Sequence, residues 1–385
     1  MRAAKAGFLV VVALAVLCRA QTPNGAAPQA SNIPASVDAV YYGAVDVGSK
    51  GTKSSLFSFV PDEEGANPVS IFDKTVNTSL VSSMQDGKFS PQGIADATNA
   101  VKQVLAAMKA EAEKRKIAVK VYFVVGSSGV AEVTNKNVLY ASVKAATGID
   151  MDTVDAAHEG YYGMISSVPL SQRTSSMYID IGSGNSKPGC LVGGLDFASF
   201  KSTEIPYGSV SGRNQALKTN PDNVDAGIEA LMRVVSTQYE NKSRDIPCLR
   251  NRARIYWSGG AAWATATYTH PEGELKGWVT ITKQDLERFR ASLVNGTWNQ
   301  KRPVFVFPRN TPPALQNEIR TKAMKDYNNV QDVFVREDLL SGVSIMDAVL
   351  NSSNASATIH FARNGNFLYG YALDRFKENM PSGGN

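Results

Sequence analysis

Val45-Asp46-Val47-Gly48-Ser49-Lys50-Gly51-Thr52-Lys53 and Ile179-Asp180-Ile181-Gly182-Ser183-Gly184-Asn185-Ser186-Lys187 share one pattern: an apolar-Asp-apolar-Gly strand end, then a turn of small and hydroxyl residues with a lysine. Small residues let several backbone N–H groups converge on one anion, hydroxyls add donors and lysine adds charge. Each segment therefore reads as a phosphate cradle, built from Gly48, Ser49, Lys50, Gly51, Thr52 and Lys53 in the first copy. In the second it is built from Gly182, Ser183, Gly184, Asn185, Ser186 and Lys187. Asp46 and Asp180 are placed to hold a divalent cation such as Mg2+, directly or through water, that bridges phosphate oxygens. One such turn alone is equally a plain hairpin closure; the repetition of the Asp-led pattern points to a ligand. Neither copy is GxxxxGK[ST]. Pro188 and a further strand follow Gly182-Ser183-Gly184, where a dinucleotide fingerprint requires a helix, and a serine-nucleophile elbow is absent.

The flanking sequence repeats as well. VYYGAVDVG and TKSSLFSFV are β-rich runs meeting at the first turn, which predicts a hairpin. Ser90-Pro91 opens a helix with Ile94, Ala97, Val101, Val104, Leu105 and Met108 on one stripe, closing near the basic residues 113–116. VKVYFVVG follows as a strand covered on both faces. The unit then restarts with SMYIDIGSG and KPGCLVGGLDF. Asn220-Pro221 is read as the cap of a helix carrying Val224, Ile228, Leu231, Met232 and Val235, RARIYW as a strand running into SGGAAWA, and Thr282 to Asp285 as a capping box. A hairpin with an Asp-led turn, then helices and a buried strand, occurs twice, which predicts a duplicated α/β architecture with a cleft between its halves. Residues 351 to 385 show only β-like alternation.

The chain of 385 residues, 43% hydrophobic and 19% charged, is globular and long enough for two domains. Its formal charge of +5 falls by three, to +2, once Arg2, Lys5 and Arg19 of the first 20 residues are set aside. That balance gives no electrostatic footprint for nucleic acid. His158, His270 and His360 lie far apart in sequence, which argues against a histidine metal centre. MRAAKAGFLVVVALAVLCRA has a basic head, an apolar run too short to span a membrane and a small-x-small end. Residues 1–20 are thus expected to be a signal peptide and residues 21–39 a flexible leader, making the mature protein secreted or periplasmic without a membrane anchor. Cys190 and Cys248 then remain, either paired in an oxidising compartment or simply buried.

In the order and spacing of its motifs over residues 40 to 350 the chain resembles the exopolyphosphatase/guanosine pentaphosphate phosphohydrolase (Ppx/GppA) family of the actin-like ATPase superfamily. DVGSKGTKSSLF looks like the family's first phosphate loop and YIDIGSGNSK its second. VVGSSGVAEVTNK, ATGIDMDTVDAAHEG, EIPYGSVSG, IYWSGGAAWA and DLLSGVSIMDAVL are similar to its further segments. Apyrase-type nucleotidases share this frame, and the match to them is weaker because their cysteine-rich second half is missing. The resemblance implies a two-lobed ribonuclease-H-like (actin-like ATPase) α/β fold with a central cleft. Lobe one would run over 40–168 and lobe two over 171–338, with 339–385 a C-terminal helix and strands returning to lobe one. It implies hydrolysis of a terminal phosphoanhydride in a small-molecule or polymeric phosphate, with Glu159 as the base that activates water, a role suited to a carboxylate. The chain departs from the family at Lys187, where the second loop ends in an acid, and at Gly129-Val130-Ala131-Glu132, which lacks an arginine. An ammonium at Lys187 does not ligate a cation but grips phosphate directly.

Overall fold

The computed structural model describes residues 39–378 except 49, 63–64, 79, 81–82, 85, 276–277, 301, 355 and 364–366. The expected signal peptide, nearly all of the leader, and Ser49 of the first turn lie outside these residues. Lobe one begins with β1 (Val40–Val47), which pairs antiparallel with β2 (Gly51–Asp62), followed by β3 (Gly65–Asn77), a strand the sequence pattern did not announce. α1 (Pro91–Arg115) starts where the Ser90 hydroxyl accepts the Gly93 N–H and Pro91 presets the first turn. It crosses over to β4 (Val119–Gly126), which pairs parallel to β1, because parallel neighbours need such a connection. The short α2 (Ser128–Ala131), then α3 (Lys136–Thr147), β5 (Met151–Thr153) and α4 (Ala156–Ser167) complete the repeat.

Lobe two repeats the plan with β6 (Met177–Ile181), β7 (Ser186–Leu191) and β8 (Phe200–Ser202), followed by α5 (Ser209–Thr219), α6 (Val224–Ser243), α7 (Cys248–Asn251), β9 (Arg254–Ser258) and α8 (Gly260–Thr269). Next come β10 (Trp278–Ile281), α9 (Lys283–Val294), α10 (Pro313–Val333), α11 (Arg336–Ser352), β11 (Thr358–Ala362) and α12 (Phe367–Glu378). The sheets run β3-β2-β1-β4-β5 and β8-β7-β6-β9-β11-β10, so the second equals the first with one strand added at its edge. Both Asp-led hairpins and the Thr282/Asp285 capping box form as read from sequence. Two readings are corrected. α6 is capped by Asn223, whose side chain accepts the Ala226 N–H, rather than by Asn220-Pro221. The segment after residue 351, read as β-like, is one five-residue strand and then a helix, because the apolar residues of 367–376 recur at helical spacing and bury a face.

Strand alternation positions the site. On β1, Val45 and Val47 point to an outer core under α1 and α3, while Tyr42 and Ala44 join a core between the lobes. On β6, Met177, Ile179 and Ile181 pack into the outer core of lobe two and Tyr178 faces the core between lobes. With a period of two, Asp46 and Asp180 must both face inward, at the strand ends where that apolar core stops. α4 and α12 fill the space between the lobes; Leu368, Tyr371 and Phe376 of α12 pack against Tyr42, Tyr162 and Phe59. α11 stays with the core of lobe two. Cys190 and Cys248 form a disulfide that ties β7 to α7, settling the pairing that the sequence left open. Among the described residues no helix is long and apolar enough to cross a membrane.

Candidate functional site between the lobes

In each hairpin the aspartate lies opposite a lysine: Asp46 faces Lys53 across β1 and β2, and Asp180 faces Lys187 across β6 and β7. The two lysines then differ. Lys53 is exposed, whereas the Lys187 side chain is 3% exposed and turned inward. Its Nζ lies 2.8 Å from Asp180 Oδ2 and donates to Glu159 Oε1 and Asn185 Oδ1, each at 3.1 Å. Burial disfavours the ammonium, but the two carboxylates outweigh it and hold Lys187 above the ordinary lysine range.

Glu159 stands in the first turn of α4, whose N-cap Asp155 accepts the His158 N–H. A first-turn glutamate is ordinarily solvated, yet Glu159 is only 7% exposed. Its Oε2 accepts the Ser128 N–H at 2.8 Å, so the carboxylate is held from lobe one by backbone and from lobe two by Lys187. Asn185 donates to Ser128 Oγ at 3.2 Å and Glu204 Oε1 at 2.6 Å. Asp180 Oδ1 accepts from Ser258 Oγ at 2.9 Å, and since that single hydroxyl proton is used there, Tyr178 is the donor in its 2.6 Å bond to Ser258. Burial pushes Asp180 up, but Lys187 and the Ser258 hydroxyl together leave it below the usual aspartate range. Asp46 has no such partner. Burial lifts its carboxyl to about 7, Lys53 opposing and the charges of Glu159 and Asp180 adding to the rise, and its Oδ1 is buried without a hydrogen bond. These mutual influences place Asp46, Asp180, Glu159 and Lys187 in one cluster facing across the lobes.

The remaining loop residues divide. Gly48 donates its N–H to Gly51 O at 3.0 Å, and Gly182 to Asn185 O at the same distance, closing the two turns alike. The carbonyls of Gly182 and Ser183 accept the first N–H groups of α5, and Ser211 Oγ donates to Gly184 O at 2.6 Å. Ser186 is fully buried and its hydroxyl donates to Tyr207 O at 2.7 Å. The hydroxyl of Thr52 is also buried in the sheet, without a partner. Lys50 reaches over the Phe334 ring, 4.8 Å from its centroid, and forms an ion pair with Asp338 at the start of α11, which Arg213 also approaches at 3.0 Å.

The expectation of a cation shared by Asp46 and Asp180 can be tested against these partners. Asp46 has one unfilled oxygen, but both oxygens of Asp180 are taken, and the ammonium of Lys187 lies in the gap between Asp180 and Glu159. Among the described residues no group of three histidine, cysteine or acidic side chains is arranged to hold a metal ion. The donor set does not fit Mg2+, which demands near-octahedral oxygen ligands. Sequence reading missed Ser128, Ser258, Arg213 and Asp338. Ser128, Ser258 and Asp338 nevertheless lie inside VVGSSGVAEVTNK, IYWSGGAAWA and DLLSGVSIMDAVL, and Ser258 precedes the Gly259-Gly260 pair at which β9 ends and α8 begins. Gly259 has φ of +103°, and a Cβ there would lie 2.1 Å from Ile181 O, so the turn requires glycine.

No protein-family model and no curated protein sequence matches this chain. Solved structures do. A Ppx/GppA family member from Aquifex aeolicus is similar over 89% of this chain and 100% of its own, with a TM-score of 0.60 at 14% identity. An exopolyphosphatase from Cytophaga hutchinsonii matches over 87% and 98%, with a TM-score of 0.60 at 15% identity. An exopolyphosphatase-like protein matches over 88% and 98%, with a TM-score of 0.62 at 13% identity. The chain has a two-lobed fold of the actin-like kind. More narrowly, this is the fold shared by the Ppx/GppA and exopolyphosphatase structures.

Proposed function

We propose that this protein hydrolyses a terminal phosphoanhydride of inorganic polyphosphate or of a phosphorylated nucleotide, and that it does so outside the cytoplasm. The observation that carries this reading is Glu159: a carboxylate 7% exposed, fixed between the two Asp-led hairpins and held on each oxygen by one donor. In the proposed reaction the chain ends in the cleft with its terminal phosphoryl group between the hairpins. Glu159 takes a proton from water as the water oxygen bonds to phosphorus, and the bridging oxygen leaves with the shortened chain. Lys187, Lys53 and the turn N–H groups balance charge on the phosphoryl oxygens. Export is supported by the leader sequence and by the Cys190–Cys248 disulfide, a pairing that persists in oxidising compartments.

A second reading, a non-catalytic binder of phosphate-rich ligands, is favoured by one observation: both oxygens of Glu159 already accept hydrogen bonds. Phosphate release from long-chain polyphosphate, ATP, ADP and guanosine pentaphosphate separates the two. The enzyme reading expects release on at least one of them and a fall of at least about 100-fold in kcat for Glu159→Gln with binding retained. Binding without release on all four establishes the binder instead.

A further inference from the structure

A buried ammonium needs acceptors for each of its three protons, and Lys187 has three: Asp180 Oδ2, Glu159 Oε1 and Asn185 Oδ1. Two are charged and one is neutral. The matching lysine of the first hairpin, Lys53, stays exposed, so turning inward is particular to the second hairpin. The space it fills lies between Asp180 of lobe two and Glu159, which arrives on α4 from the other lobe. Magnesium bound there would require oxygen ligands at about 2.1 Å in octahedral array. The ammonium, 2.8 and 3.1 Å from the same oxygens, excludes it by volume and by charge.

We propose that the Lys187 ammonium takes the place of a divalent cation, neutralising Asp180 and Glu159 and binding the terminal phosphate itself, so that phosphate binding needs no metal. The inference rests on the phosphate-ligand reading above. An incoming phosphate oxygen replaces Asn185 Oδ1, the neutral acceptor, while the Asn185 amide stays anchored through Nδ2 to Ser128 and Glu204. The two charged contacts persist, so the lysine remains fixed while one of its N–H groups changes acceptor from the amide oxygen to phosphate.

Two titrations of the purified, unsubstituted protein decide this. Tripolyphosphate binding, followed by calorimetry and corrected for the Mg2+ that tripolyphosphate itself chelates, is expected to change by less than about twofold between excess EDTA and excess MgCl2, because no protein-bound metal contributes. Mn2+ titrated into the protein alone and read by electron paramagnetic resonance is expected to show no stoichiometric uptake. Lys187→Met, which leaves Asp46, Asp180 and Glu159 uncompensated, is expected to gain Mn2+ uptake and lose affinity for tripolyphosphate in EDTA. If that variant does not fold, the two titrations of the unsubstituted protein still decide. Loss of about tenfold or more in affinity on adding EDTA, or stoichiometric Mn2+ uptake by the unsubstituted chain, overturns the proposal. Metal-free binding without phosphate release leaves the lysine role standing and removes hydrolysis. Release that requires Mg2+ keeps hydrolysis and removes the lysine role, and absence of binding in either buffer removes both.

Discussion

Asp46 shows how a site declares itself through a missing partner. Its carboxyl is 6% exposed, one oxygen has no hydrogen bond, and burial raises it to about 7, whereas Asp180 in the same position of the other hairpin is fully bonded and ionised. A carboxyl whose folded pKa is raised binds a proton in the native state that the unfolded chain has already released. Stability conferred by that proton is therefore present at low pH and declines as pH rises from the unfolded value of 3.8 to about 7, then levels off. Asp46→Asn removes its share of the proton-binding difference, so stability should fall less across that window, with Glu274, whose carboxyl is also lifted by burial to about 7, still contributing. Above it the variant should be more stable than the parent by up to about 4 kcal/mol. Urea unfolding of both proteins at about pH 5 and about pH 8 measures this; an unchanged slope in the variant would show that Asp46 is not the group responsible.

Elements set which of these residues meet, and here the sequence was legible only in part. Alternation along β1 and β6 fixed the facing of Asp46 and Asp180, because Val45, Val47, Ile179 and Ile181 demanded the opposite side. The direction taken by Lys187 was not legible: it depends on Glu159, which arrives on α4 from the other lobe, and on Asn185. Asp338 and Ser128 lay in segments quoted from the sequence, but their pairing was hidden for the same reason, their partners Lys50 and Glu159 lying 288 and 31 residues away. The misread C-terminal segment follows from α12 packing on α4, β1, β2 and β3, elements far from it in sequence. Its helical stripe is completed by small and aromatic residues that also suit a strand. The α12–α4 crossing is close at Gly370, where a Cβ would lie 2.5 Å from Tyr162 O. Backbone cannot yield as a side-chain tip can. Gly370→Ala should lift α12 from α4 and cost about 1–3 kcal/mol despite the better helix propensity of alanine. Thermal unfolding tests it, and a variant as stable as the parent would mean that the helices are not in contact there.

Across the whole molecule, three of the polar ties between lobes lie near the Asp-led hairpins: Lys187 to Glu159, Asn185 to Ser128, and Lys50 to Asp338. The first two run through the proposed chemistry, but the third holds a loop lysine away from it. Lys50 sits in the turn whose pattern suggested a phosphate cradle, yet its charge is directed to Asp338, 3% exposed at the side chain and flanked on its other side by Arg213. Anionic ligand and Asp338 must then compete for the same ammonium, and the closed pair opposes ligand entry by whatever it contributes to joining the lobes. Asp338→Asn keeps an acceptor for Arg213 while removing the charge that draws Lys50 away. The variant should therefore bind tripolyphosphate about 3–10-fold more tightly, the equivalent of roughly 1 kcal/mol returned to the ligand by one freed charge. Its affinity should also fall more steeply with salt, since one more lysine faces the anion. Calorimetric titration at two ionic strengths, with hydrogen exchange at Lys50 and Gly51 reporting whether the turn is released, separates this from a purely structural pair. Faster exchange without a gain in affinity would show that Lys50 holds the lobes together and has no part in receiving phosphate.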